Sequence, residues 1–239
     1  MSSLATIFPG ICQPRATERV VLVGPENSTP WGAASGSDAF SHGDPAQRSE
    51  DVRSAVSFLA ILEEVDNTWI SVLGICASGE YGPYAAQTDL RIRAVATISA
   101  ADAGAIASEG FKNTPFELDS ATLTKTLEAT GANRITEAKG KEVLCDPIVP
   151  DLPEGYVKKR GSARQLLRVF FDHLVSPRPL LMIAGGDAHT LYFIEEGIKR
   201  AEEPEELYIV PGQSHVALYG HLDEHIPKLV DFMAKSLCN

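Results

Sequence analysis

Cys76, Asp187 and His215 are the residues whose types and places in the chain could do chemistry together. A thiol is a strong nucleophile once a base has taken its proton, and imidazole is the usual base near neutral pH. The imidazole in turn needs an acceptor on its far nitrogen to hold one tautomer, which a carboxylate can supply. Cys76 lies in Gly74-Ile75-Cys76-Ala77-Ser78-Gly79. The apolar run Ile70 to Leu73 precedes it and a helical pattern at Tyr81 to Ala86 follows. A strand that turns sharply into a helix with a nucleophile at its apex needs small residues around the apex, because strand and helix approach closely there. Gly74 meets that need on one side. On the other, Ser78 stands where glycine is usual, with Gly79 next to it. The helix N-terminus below Cys76 would favour a thiolate. The Ala77 N–H, directly after the nucleophile, would face an intermediate's oxyanion. A buried cysteine closing a core strand fits the same six residues, so the rest of the chain has to decide.

The elements that must position these groups read as alternating strands and helices. Arg19 to Gly24, Ile70 to Leu73, Arg93 to Ser99, Pro179 to Gly185 and Glu206 to Pro211 are short, apolar and rich in β-branched residues, as strands covered on both faces are. Glu50 to Glu64 has an amphipathic helical period with Ser49 as its expected N-cap. Further helices are expected at Leu191 to Ala201 and Glu224 to Leu237. Strand, helix, strand repeated in this way implies a parallel sheet with crossover helices, which binds ligands at the carboxyl ends of its strands. Cys76, Asp187 and His215 each follow such an end. Their order is nucleophile, acid, histidine, with one helix and one strand between the last two, as in α/β-hydrolases. Asp187 could instead cap the helix that follows it, and Glu195, Glu196 and His189 lie near enough in sequence to compete. The other histidines, His42, His173, His221 and His225, are expected to be solvated.

Between about residues 101 and 176 no convincing buried strand appears. Thr122 to Lys141, interrupted at Gly131, and Ala163 to His173 read as helices around a proline-containing loop. This is a cap-sized helical insertion in a single domain spanning residues 1–239, and it would cover the sheet or roof the site. The chain has 239 residues, a formal charge of −11 and a pI near 5.0, which argues against a nucleic-acid or anionic-membrane partner. No apolar run is long enough to span a bilayer, and the start lacks the pattern of a signal peptide. Cys12, Cys76, Cys145 and Cys238 follow no zinc-site spacing. A reduced, cytoplasmic protein is the expectation.

The stretches DPAQRSEDVRSAVSFLAILEEVD, ISVLGICASGEYGPYAAQTDLRIRAVATISA and PLLMIAGGDAHTLYF, with EELYIVPGQSHVALYG, resemble α/β-hydrolases near dienelactone hydrolase. Within that group they are most similar to a branch of fungal secondary-metabolism proteins, the polyketide transferases and thiohydrolases. The resemblance runs from about Trp31 to the C-terminus. It implies acyl transfer through Cys76 with His215 and an acid, a small-molecule acyl substrate that a carrier could hold as a thioester, and no metal or organic cofactor. Three departures stand out. Glu80 replaces a usual glycine near the nucleophile, Ser78 departs from the elbow pattern, and fewer than twenty residues precede Arg19 where relatives carry several strands. The run Leu4 to Phe8 with Pro9-Gly10 is the local candidate for a shortened strand and loop. The backbone near Gly10 and Ile11 would then be the second oxyanion donor.

Three readings follow. The first is an acyl hydrolase that cleaves an ester or thioester through a cysteine acyl-enzyme. The second is an acyltransferase that shares the acyl-enzyme and delivers the group to an alcohol. The third is a catalytically weak binding or dimerisation module, because a sheet with a bare edge invites pairing with a second copy.

Overall fold

A computed structural model describes residues 19–23, 45–63, 65–112, 114–115, 117–141, 146–147, 160–161 and 175–237. The expected strand at Leu4 to Phe8, the donor at Ile11 and the helix at Ala163 to His173 lie outside these residues. Five strands, β1 (Arg19–Val23), β2 (Ile70–Ile75), β3 (Ile92–Ile98), β6 (Leu180–Gly185) and β7 (Glu205–Val210), form one sheet in the order β1-β2-β3-β6-β7. Every neighbouring pair is parallel. Two-residue strands β4 (Asp146–Pro147) and β5 (Arg160–Gly161) pair antiparallel apart from it.

Period-two alternation in largely apolar strands gives the sheet two cores. Val72, Val95 and Met182 face one side, where Val52 and Val56 of α1 (Pro45–Ala60), Ala85 and Ala86 of α2 (Ser78–Thr88) and Ile194 of α5 (Leu191–Arg200) cover them. Leu73, Ala94, Ala96, Leu181 and Ile183 face the other, under Leu229, Phe232 and Met233 of α6 (Ile226–Leu237). Burial on both faces is why these strands read as continuous apolar runs. Truncating a fully buried side chain such as Leu181 to alanine costs about 2–5 kcal/mol.

Element ends differ from the sequence expectation in physically simple ways. Helix α1 starts at Pro45, since proline lacks only an N–H that the first turn leaves unbonded anyway. Ser49 is therefore not its cap and is buried inside the helix. Between β3 and β6 stand α3 (Ala103–Glu109) and α4 (Ser120–Ala138). Asp119 caps α4 by accepting from the Thr122 N–H at 2.7 Å, so the helix starts earlier than its apolar period suggests. It runs through Gly131 unbroken, because an interior glycine costs only about 1 kcal/mol and blocks no hydrogen bond. None of its residues is buried. Before α6 the chain makes a short 3₁₀ turn, Leu222–Glu224, which delays the helix to Ile226. His225 sits at this junction and is wholly buried rather than solvated, and burial pushes its pKa down. No helix among the described residues is long and apolar enough to cross a membrane.

Candidate active site

The carboxyl ends of β2, β3, β6 and β7 build one site. At the end of β2 the chain turns through Cys76 at φ 59°, a left-handed conformation that costs a non-glycine residue about 1–3 kcal/mol. Backbone bonds hold it there. The Cys76 N–H donates to the Ile98 carbonyl of β3 at 3.1 Å, and the Cys76 carbonyl accepts from Gly79 at 2.9 Å and Ala101 at 3.3 Å. A Cβ on Gly74 would lie 2.2 Å from the Ser78 carbonyl oxygen, so the elbow closes only with glycine at that position. A Cβ on Gly79 would lie 2.6 Å from the Ala100 Cβ. The close approach on the helix side is thus made at Gly79, and Ser78 fits as a buried residue one place earlier. Replacing Gly74 with alanine is expected to lower stability by about 1–3 kcal/mol. It should also slow reactions of Cys76 roughly a hundredfold, the cost of a misplacement near 1 Å. A thermal melt and the alkylation rate of Cys76 check both effects.

Glu80, the departure next to the nucleophile, is buried, and its Oε2 accepts the Ala103 N–H at 2.9 Å. Its carboxylate therefore serves the first turn of α3, where negative charge is favoured. The Ala77 N–H donates to no acceptor among the described residues, and the following turn begins α2.

His215 follows β7 and stands in a loop anchored from β3. Ser99, at φ 51° and buried at the end of β3, donates its Oγ hydrogen to the His215 carbonyl at 2.9 Å. Burial lowers the His215 pKa, which keeps the ring neutral and able to accept a proton. Both ring nitrogens have partners. Nδ1 lies 2.7 Å from the Thr190 Oγ1 and Nε2 lies 2.9 Å from the Tyr219 hydroxyl. Thr190 is buried at the N-cap of α5, yet its hydroxyl makes no cap bond and is turned to the imidazole instead.

Asp187 also lies at this end of the sheet. Its N–H donates to the Gln213 carbonyl at 2.9 Å, which pins the β6 turn to the loop that carries His215. Its carboxylate is exposed and makes no hydrogen bond to His215 among the described residues. Glu196 is turned to Lys199 at 3.0 Å and Arg200 at 3.8 Å along its own helix. The structure thus gathers Cys76 and His215 and places Thr190 where the order of residues suggested a carboxylate. Thr190 and Tyr219 were not singled out from sequence. The signal for Tyr219 is its place four residues after His215, and for Thr190 it is a helix cap three residues after Asp187.

No protein-family profile matches the chain. It is 33% identical over 211 residues to the uncharacterized protein PA2218 of Pseudomonas aeruginosa, covering 75% of this chain and 55% of that protein. The chain therefore spans little more than half the length of that relative. The crystal structure of PA2218 superimposes with a TM-score of 0.70 at 29% identity, covering 82% of this chain and 69% of that one. The α/β hydrolase GrgF of Penicillium sp. sh18 superimposes with a TM-score of 0.71 at 16% identity, covering 94% and 92%. The monoacylglycerol lipase of Paleococcus ferrophilus does so with 0.60 at 16% identity, covering 91% and 94%. The parallel sheet, the strained elbow and the histidine after the last strand are those of the α/β-hydrolase fold, and the chain belongs to that fold class.

Proposed function

We propose that the protein is an acyl hydrolase that cleaves an ester or thioester through a covalent acyl group on Cys76. The observation that carries this reading is the strained apex at Cys76, held by β3 and α2 beside a neutral, partly buried His215. The hydrolase and lipase names of the fold neighbours support the same class of chemistry. Cys76 attacks the acyl carbonyl carbon and His215 takes the thiol proton. The Ala77 N–H stabilises the oxyanion, and collapse expels the alcohol or thiol, which recovers the proton. Water then repeats the sequence in reverse to release the acid. Val216 and Leu222 are exposed apolar side chains following His215, which favours an apolar acyl group. Transfer to an alcohol shares the acyl-enzyme. The resemblance of the elbow and of the segment around His215 to the polyketide transferase and thiohydrolase branch supports a role in secondary metabolism.

A panel of activated aryl esters and acyl thioesters of increasing chain length tests the reading. Cys76-dependent turnover that rises with chain length is expected, and added alcohol separates hydrolysis from transfer by the products formed. An unreactive panel with Cys76 still open to alkylation would reject the reading.

The imidazole's partner is testable in the same assay. Thr190 holds Nδ1, whereas the exposed Asp187 carboxylate, from the same turn, makes no hydrogen bond to the ring among the described residues. Thr190→Val is therefore expected to reduce turnover more than Asp187→Asn. The reverse order would assign the orienting role to Asp187.

A further inference from the structure

The partners of Nε2 carry an inference beyond the nucleophile and base. Among the described residues no hydrogen bond joins Cys76 directly to His215. The Tyr219 hydroxyl fills that place. It lies 2.9 Å from Nε2, its ring stands edge-on to the imidazole with centroids 5.8 Å apart, and Cys76 is close enough to raise its pKa. The short 3₁₀ turn Ala217–Tyr219 sets this position, with Leu218 buried and the Tyr219 N–H donating to the Val216 carbonyl at 3.0 Å.

We propose that Tyr219 is a catalytic residue that relays the proton of the Cys76 thiol to His215. As sulfur attacks the acyl carbonyl, the S–H bond breaks and its proton passes to the phenol oxygen. The phenol O–H breaks in the same step and its proton passes to Nε2. The carbonyl π pair moves onto oxygen. On collapse the bond to the leaving group breaks, and that group takes a proton back along the same line. The imidazole must start with its proton on Nδ1, donated to Thr190 Oγ1, so that Nε2 is free to accept. Partial desolvation of its hydroxyl end, and then the neighbouring Cys76, raise the Tyr219 pKa well above that of an ordinary phenol, although the ring itself is partly exposed. Phenolate therefore does not accumulate, and the two transfers are concerted.

The proposal rests on Cys76 as nucleophile, but its test does not need the acyl substrate. The rate of iodoacetamide alkylation is followed at the Cys76 peptide by mass spectrometry across pH, for the natural protein, Tyr219→Phe, His215→Ala and the double variant. Tyr219→Phe is expected to slow alkylation at pH 7 about tenfold or more and to move its profile towards that of a free thiol near 8.5. The double variant should match His215→Ala within about twofold, because both changes cut one route. An unchanged profile in Tyr219→Phe would overturn the relay, and so would faster alkylation with an unshifted midpoint, which would make the phenol a plug. If Tyr219→Phe does not fold, 3-fluorotyrosine at position 219 keeps the ring and hydroxyl but makes the phenol more acidic. The relay then predicts a shifted alkylation midpoint, and an unshifted one overturns it. Alkylation that depends on Tyr219 without any acyl-enzyme would uphold the relay and reject the acyl-transfer reading. Normal acyl-enzyme formation in Tyr219→Phe would do the opposite.

Discussion

Replacing Cys76 with alanine is expected to abolish turnover of every ester and thioester that the natural protein cleaves. The elbow is held by backbone bonds from β3 and α2 that do not involve the thiol. Removing Sγ therefore deletes the nucleophile and leaves its support in place. Melting temperature should change little, because Cys76 is only partly buried and its strain lies in the backbone. Cys76→Gly sharpens the test. Glycine accepts a positive φ without strain, so this variant should be at least as stable as alanine and equally inactive. Residual turnover near the natural level in either variant would place the chemistry elsewhere.

The second large effect is expected at His215. His215→Ala should lower the single-turnover acylation rate by about 10³-fold or more, the scale of losing a base that acts as a unit with its nucleophile. The ring also sets a pH dependence whose sign is fixed by its surroundings. Burial disfavours the charged imidazolium and lowers its pKa from the ordinary 6.5. The base is then still unprotonated at pH 6.5, and activity falls only as pH drops through the lowered value. A rate profile from pH 5 to 8 should be level at its upper end, with an acid limb below 6.5 that is lost in His215→Ala. A limb centred above 6.5 would contradict a partly buried, neutral base.

Much of this was legible in the sequence because the sheet is buried on both faces. Runs such as Arg93 to Ser99 and Pro179 to Gly185 could only be interior strands, and the parallel order followed from the helices between them. The site was legible as far as backbone position defines it. Cys76 follows β2 and His215 follows β7 whatever their side chains do. Side-chain partners were not legible. Three residues of one turn separate Asp187 from Thr190, and only the fold shows that the buried hydroxyl faces Nδ1 while the carboxylate faces solvent. Tyr219 was equally hidden, because a 3₁₀ turn brings it back onto the residue four places earlier. Glycine at 79 in place of 78 looked like a weak elbow, yet contact with Ala100 puts the demand for glycine there. The start of α1 was missed because Pro45 and Ala46 carry no amphipathic signal, while Ser49 mimics a cap inside the helix.

The central claim is that Cys76 carries an acyl group. Intact-mass spectrometry after brief incubation with an activated acyl thioester tests it most directly. The account predicts a mass increase of one acyl group, mapped to the peptide containing Cys76, absent in Cys76→Ala and slow to form in His215→Ala. An acyl group found on another residue would contradict it, as would turnover of the thioester with Cys76 never modified.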